Sequence, residues 1–343
     1  MSGASADAPR TTAALRTAGA AGDAVAVLFT GGTISMKFDA AAGGAVPALS
    51  AEEILDAARG VREIAPLRPE QWGRYPGPHM TVERQWALRT RIAELLADPG
   101  VRGVVVTHGT DSLEETAYLV ARSTASPKPV VFTGAMKNAS DLGWDGPANL
   151  VDAVTIAASD AAREVGVTVT FNGRIFSALD EAKTHTHLLD AFESPGLGPL
   201  GMVDEGQVLF RRAVRGAPVP LMPDAPATPV DLVTAYAGAD DRLLQASFES
   251  GARGLVIAAM GRGNVPPEML PGIERFIAAQ RPVVITSRAQ RGRVGMTYGY
   301  PGGGRRLADL GCWFAGPRRP TQARVDLMLA LGAGVALSEV FES

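Results

Sequence analysis

Val25-Ala26-Val27-Leu28-Phe29-Thr30-Gly31-Gly32-Thr33-Ile34 and Val104-Val105-Val106-Thr107-His108-Gly109-Thr110-Asp111-Ser112 follow one pattern, an apolar run rich in valine that ends in glycine and threonine. Short runs with so few polar interruptions suit strands covered on both faces of a parallel sheet. Thr33 and Thr110 then stand just beyond the carboxyl ends of strands. Ligands in open α/β sheets bind there, so two hydroxyls delivered to one edge can meet in one pocket.

The pattern continues outward from these stretches. Strand patterns cover 24–29, 103–107, 129–133, 167–171, 230–235, 254–259 and 282–286, and helical patterns cover 51–58, 82–97, 112–123, 147–162, 241–250, 266–279 and 320–331. This alternation predicts an α/β fold with a parallel sheet and crossover helices. Asn172-Gly173 is a hairpin signal joining Val167–Phe171 to Arg174–Ala178. Asp39–Pro47 is mostly Ala and Gly and follows the first threonine motif, which marks it as a candidate mobile lid. Between Gly201 and Thr228 the chain is polar and carries Pro218, Pro220, Pro223 and Pro226, the composition of a boundary.

Composition narrows the function. The chain has 343 residues, 46% of them hydrophobic, enough for two cores. With 20% charged residues, a net charge of -3 and a pI near 5.9, it offers no electrostatic case for nucleic acid or a membrane, and a small-molecule ligand is expected. Cys312 is the only cysteine, which excludes an intramolecular disulfide and a cysteine-based zinc site. Residues 1–22 lack the apolar core of a signal peptide and read as a disordered tail. No stretch approaches the roughly 20 apolar residues of a membrane span, so a cytoplasmic location is expected.

Gly31-Gly32 lets the chain leave its strand sharply and brings backbone N–H groups close to whatever Thr33 touches, where they can stabilise an oxyanion. It reads equally well as a tight βα turn. A phosphate loop is disfavoured, because the Gly-x-x-x-x-Gly-Lys pattern is missing. Ser112 and Glu115 have capping-box spacing, so a helix is predicted to begin just after Asp111. Asp111 is either a helix-start acid favoured by the dipole or a partner for a substrate ammonium.

A hydroxyl nucleophile needs a base. The chain's four histidines, His79, His108, His185 and His187, accompany no Gly-x-Ser-x-Gly elbow, so Ser-His-Asp chemistry finds no support. Lys183 is the remaining candidate, because a lysine desolvated in a pocket can act as a base, although most lysines are solvated. His185 and His187 lack a third ligand, so no metal is expected.

TGGTI at 30–34, HGTDSLEET at 108–116, GAMKNASDLGWDGPANL at 134–150 and AKTHT at 182–186, in that order, resemble the bacterial L-asparaginase/glutaminase family. The resemblance runs over nearly the whole chain beyond residue 22. It implies a larger amino-terminal catalytic α/β domain, here 23–205, and a smaller carboxyl-terminal α/β domain, here 229–343, which the disordered tail at 1–22 and the linker at 206–228 read from composition set apart. It also implies hydrolysis of L-asparagine to L-aspartate and ammonia through an acyl-enzyme, with glutamine as a side substrate. Thr33 matches the attacking threonine, Thr110 and Lys183 the threonine–lysine pair, and Asp111 the acid that orients the pair and holds the substrate ammonium. The implied substrate-binding set is Gly32, Gly77, Pro78, His79, Gly109, Thr110, Asp111 and Arg262. No metal or organic cofactor is implied, and the expected assembly is a homotetramer or homodimer.

Three departures matter. Lys37 and Phe38 stand where many relatives carry a lid tyrosine, which removes a phenol from the neighbourhood of Thr33. Gly77 replaces a serine that binds the substrate carboxylate, leaving that contact to a backbone N–H, His79 or water, and a millimolar KM is expected. Arg262 occupies the place of an asparagine that some relatives supply from a neighbouring subunit, where a guanidinium could take over the carboxylate. A binding protein that lost turnover and a subunit acting on aminoacyl-tRNA are the competing classes. Thr33, Thr110 and Lys183 together speak against the first, and the acidic net charge speaks against the second.

Overall fold

The computed structural model describes residues 23–213 and 219–343, so the expected tail at 1–22 and Pro218 lie outside the described residues. The amino-terminal part begins with β1 (Ala24–Gly31), β2 (Met36–Asp39), β3 (Gly44–Pro47), α1 (Ala51–Ala57), α2 (Val61–Ile64) and β4 (Leu67–Tyr75). It continues with α3 (Val82–Ala97), β5 (Val101–Thr107), α4 (Leu113–Ser123), β6 (Val130–Thr133), α5 (Gly146–Ala158), β7 (Val167–Phe171) and β8 (Arg174–Ser177). Four short strands close it, β9 (Ala182–Lys183), β10 (Phe192–Glu193), β11 (Gly201–Asp204) and β12 (Gln207–Phe210). The carboxyl-terminal part holds β13 (Val230–Thr234), α6 (Arg242–Glu249), β14 (Gly254–Ala259), α7 (Leu270–Ala278), β15 (Val283–Ser287), α8 (Gly304–Asp309), β16 (Trp313–Phe314) and α9 (Pro320–Ala333).

An eight-stranded sheet in the order β12-β11-β8-β7-β6-β5-β1-β4 organises the first part. From β4 to β7 the strands are parallel, and β8, β11 and β12 continue it antiparallel. The switch occurs at Asn172-Gly173, where both residues take positive φ, 51° and 73°, as a two-residue hairpin turn requires. β1 and β5 are neighbours, with Phe29 opposite Thr107, so both threonine loops leave the same sheet edge side by side. Near-continuous burial along β1 and β5 follows from helices on both faces, and core side chains of α3 and α4 lie on one face while those of α1 and α5 lie on the other.

One expectation is corrected, and two other stretches take on definite structure. β4 was not legible because Leu67-Arg68-Pro69-Glu70-Gln71 reads as polar, yet at the sheet edge Pro69 and exposed charged residues are tolerated. Within the expected 206–228 linker, Gln207–Phe210 instead pairs with β11 as the opposite edge strand. The candidate lid is a β2–β3 hairpin, tied by Phe38 N–H donating to Ser140 Oγ (3.0 Å) and Ala139 N–H donating to the Met36 carbonyl (2.9 Å).

The second sheet, β13-β14-β15-β16, is wholly parallel. α9 joins the two parts, packing its apolar side chains with Tyr118 and Leu119 of α4 in one core. At that seam Asp326, fully buried, accepts hydrogen bonds from Arg122 Nε (2.6 Å) and Tyr118 OH (3.0 Å) and pairs with Arg318 Nε at 2.8 Å. Removing Asp326 would leave the buried Arg122 guanidinium without its counter-charge, a loss of about 3–5 kcal/mol.

Candidate active site

The loop after β1 is shaped by two glycines that nothing else could replace. A Cβ on Gly31 would lie 2.4 Å from Tyr75 N, one on Gly32 would lie 2.5 Å from Gly109 Cα, and both residues have positive φ. A Cβ on Gly109 would in turn lie 2.6 Å from Gly77 Cα. The loops after β1, β4 and β5 therefore meet backbone to backbone through Gly32, Gly109 and Gly77. Thr33 and Thr110 each follow one of these contacts directly. Thr33 opens a 3-10 turn, Thr33–Ser35, and among the described residues its hydroxyl has no hydrogen-bond partner.

Thr110, only 5% exposed, is placed differently. Lys183 Nζ lies 2.9 Å from its Oγ1 and 2.7 Å from Asp111 Oδ1. The lysine side chain is 17% exposed and Asp111 59%, so the amine is enclosed while the carboxylate faces the cleft. That cleft, about 360 Å³, is lined by Asp111, Glu114, Lys183, Thr184, His185 and Thr186. An amine touching a hydroxyl can exchange a proton with it, and an open carboxylate beside them can hold a cationic group.

Ser112 is the N-cap residue of α4 but makes no capping bond. Its hydroxyl donates to the Gly77 carbonyl at 2.6 Å, because that loop lies within reach and ties β4 to the site. Glu115 faces Arg324 at 3.7 Å across the seam, and burial raises its pKa above the ordinary value. The capping box read at Ser112 and Glu115 is thus replaced by two tertiary contacts. Gly77 is buried, while Pro78 and His79 are exposed and the His79 carbonyl accepts from Arg84. Arg262 lies exposed in the loop after β14, its guanidinium 2.8 Å from where a Gly295 Cβ would sit and its carbonyl accepting from Gly295 N–H. These contacts stay within the carboxyl-terminal part, so Arg262 is not gathered with Thr110, Asp111 and Lys183, and neither Pro78 nor His79 lines the cleft beside them.

The histidines take other work. His108 is fully buried, its Nδ1 is 2.9 Å from the Gly109 carbonyl, and burial lowers its pKa to about 4, so it is neutral near pH 7. His185 Nδ1 accepts from the N–H groups of His187 and Leu188, each at 3.0 Å, which neutralises the paired-imidazole pattern as a metal feature. Among the described residues no group of three or more His, Cys, Asp or Glu could hold a metal. The 134–150 motif is scaffolding: Asp145 accepts from Met136 N–H, Lys137 N–H and Asn149 Nδ2, and Asn149 Oδ1 accepts from Asn172 N–H.

Glu114 escaped the sequence reading. Its Oε2 accepts the Lys183 backbone N–H at 3.0 Å and its Oε1 accepts from Thr321 Oγ1 at 3.2 Å. One signal was available, since Glu114 lies one helical turn beyond Thr110-Asp111, but its partners come from distant segments.

A family model described as "Asparaginase, N-terminal" matches residues 24–215, and one described as "Glutaminase/Asparaginase C-terminal domain" matches residues 229–342. A probable L-asparaginase of Deinococcus radiodurans is 35% identical over 319 residues, 92% of this chain and 95% of that protein. A glutaminase-asparaginase of Pseudomonas aeruginosa is 34% identical over 260 residues, 74% of this chain and 72% of that protein. The crystal structure of a probable cytoplasmic L-asparaginase from Campylobacter jejuni superposes with a TM-score of 0.82 at 34% identity, covering 90% of this chain and 94% of that one.

Proposed function

The chain belongs to the asparaginase family, and on that premise we propose that it hydrolyses the side-chain amide of L-asparagine to L-aspartate and ammonia. The observation that carries this reading is the Lys183 amine in contact with both Thr110 and Asp111, beside a second strand-end threonine. Asp111 holds the substrate ammonium. Thr33 Oγ bonds to the amide carbon, its proton passes to the departing nitrogen, and ammonia leaves an ester on Thr33. Water, giving a proton through Thr110 to Lys183, then attacks that ester, and Thr33 regains its hydrogen as aspartate departs. The oxyanion of each tetrahedral intermediate is held by backbone N–H groups of the glycine loops.

A second reading exchanges the threonines. Only Thr110 has an amine at hydrogen-bond distance, and a nucleophile needs its base within such reach, which favours Thr110 as first attacker. Glutamine differs by one methylene, worth about 1–3 kcal/mol, so glutaminase activity accompanies the main one. We place the protein in the cytoplasm as a homotetramer or homodimer. The cytoplasmic description of the Campylobacter relative supports the location, and Arg262 and the exposed Tyr298 and Tyr300 of the same domain support a partner. No helix among the described residues is long and apolar enough to cross a membrane.

Ammonia release from asparagine and glutamine, against a buffer blank, tests the reading. A folded preparation that releases none from either amide rejects it. Light scattering that finds an active monomer rejects the shared assembly.

A further inference from the structure

Lys183 sits on a poor support. β9 is two residues long and pairs only with β10, equally short, outside the large sheet. A lysine side chain carries about 2 kcal/mol of rotamer entropy, and a strand this short cannot fix the backbone from which it projects. Yet Nζ must stay against Thr110 and Asp111, both in the turn that leads into α4.

The start of α9, in the carboxyl-terminal part, grips the residues leading to Lys183 one after another. Gln322 Nε2 donates to the Leu179 carbonyl at 3.0 Å, Arg319 Nη1 donates to the Asp180 carbonyl at 3.0 Å, and Arg319 Nη2 donates to the Glu181 carbonyl. Gln322 is itself held, its Oε1 accepting Arg319 N–H at 3.0 Å. From the same turn Thr321 Oγ1 donates to Glu114, whose other oxygen accepts the Lys183 N–H. Glu181 is fully buried between these groups, and neither carboxyl oxygen has a hydrogen-bond partner among the described residues.

We propose that the first turn of α9 is a positioning clamp, through which the carboxyl-terminal domain sets Lys183 Nζ against Thr110 and Asp111. This rests on Lys183 being the base of the amidase reading. Arg319, Thr321, Gln322 and Glu114 are positioning residues, since the lysine alone touches the reacting group. A displacement of about 1 Å in a catalytic group costs on the order of a hundredfold in rate, so loosening the clamp acts on turnover more than on binding.

The test pairs steady-state kinetics with hydrogen exchange on the purified full chain. Arg319→Ala is expected to lower kcat at least about tenfold with KM changed less than about threefold. Thr321→Val lowers kcat to a smaller degree, and Thr321→Ser, which keeps the donor, restores it. Amides of residues 179–186 exchange faster in Arg319→Ala, while those of β13 and β14 do not. Leu327→Val, a change in the buried face of α9 remote from these bonds, controls for lost stability and leaves kcat near that of the parent. Native kcat in folded Arg319→Ala and Thr321→Val overturns the clamp, as does equal loss in Thr321→Ser and Thr321→Val. If the parent protein releases no ammonia, the amidase reading fails, and exchange at 179–186 still decides whether α9 holds this segment.

Discussion

Thr33 and Thr110 leave adjacent strands of one sheet through similar glycine turns, and their surroundings could hardly differ more. Thr110 meets an amine at 2.9 Å that a segment 73 residues further along the chain brings back to it. Thr33 sits in a 3-10 turn with no partner for its hydroxyl among the described residues. Strand-end position is thus common to both, while activation belongs to the tertiary environment of one. The proposed division of labour rests on this difference: a hydroxyl without a partner would be left to the substrate, and one in contact with an amine would move protons.

Breaking the wired half gives the largest expected effect. Lys183→Met is predicted to lower kcat about a thousandfold, within the range of a lost acid–base group. Thr110→Val combined with it should cost little more than either change alone, because the two act as one unit. A double variant whose losses multiply would separate them.

Changing the free half distinguishes the two orders of attack. Thr33→Ala is expected to reduce turnover by orders of magnitude with no burst of ammonia, whereas Thr110→Val releases up to one equivalent and stalls with an aspartyl ester on Thr33, readable by peptide mass. An ester found on Thr110 in Thr33→Ala would reverse the assignment. The substrate side comes next. Asp111→Ala removes a hydrogen-bonded charge partner worth about 1.5–3 kcal/mol, so KM for asparagine should rise roughly ten- to a hundredfold. An amide lacking the α-ammonium should suffer much less in KM, and equal effects on both would leave Asp111 only its contact with Lys183.

Gly77 tests how tightly the loops fit. Its φ is not positive, so serine is conformationally allowed, but a Cβ there would lie 3.2 Å from Asp111 Cβ and from Asp111 N. Gly77→Ala is therefore expected to raise KM a few-fold by shifting Asp111. Gly77→Ser differs from it only by a hydroxyl, and a lower KM than the alanine variant would measure that group's bond to the substrate carboxylate. Identical KM values would place the carboxylate elsewhere, with His79 and Arg262 the groups to change next.

The smallest effect concerns stability behind Lys183. Burial, with the Glu114 carboxylate adding to it, holds the Glu181 pKa well above the usual value. The folded chain then keeps a proton that the unfolded chain releases, so this group's contribution falls as pH rises above the carboxyl range. Asp152, raised by burial to about 6, acts in the same direction until it ionises, while His108, lowered to about 4, makes stability rise with pH up to its unfolded value near 6.5. Glu115, also raised by burial, acts in the same direction, so Glu181 is read from the difference its substitution makes as pH rises from the carboxyl range through neutrality. Glu181→Gln should flatten the decline of melting temperature over that interval, and an unchanged slope would count against a protonated Glu181.

Much of this was legible in the chain. The valine-rich runs before Thr33 and Thr110 marked central strands because burial on both faces leaves a continuous apolar signature, and Asn172-Gly173 marked its turn because two positive φ values admit few residues. Edge strands such as β4 and β12 escaped, since one solvated face erases that signature. Among the candidate site residues, motif order picked out Thr33, Thr110, Asp111 and Lys183, and the structure joins the last three by hydrogen bonds. Glu114 and the start of α9 stayed hidden because their bonds join segments far apart, and Ser112 looked like a cap until the β4 loop offered its carbonyl.

Taken alone, the sequence marked the candidate reactive residues, the runs that become buried strands and the Asn172-Gly173 turn, because these depend on local composition and on backbone conformations open to single residues. Only the tertiary structure decided which threonine meets an amine, that α9 reaches across to hold the lysine's segment, and that Arg262 stays within its own domain. Such facts depend on distances between segments separated by tens to hundreds of residues. Those distances are set by packing in the shared core around α4 and α9, and no local pattern encodes them.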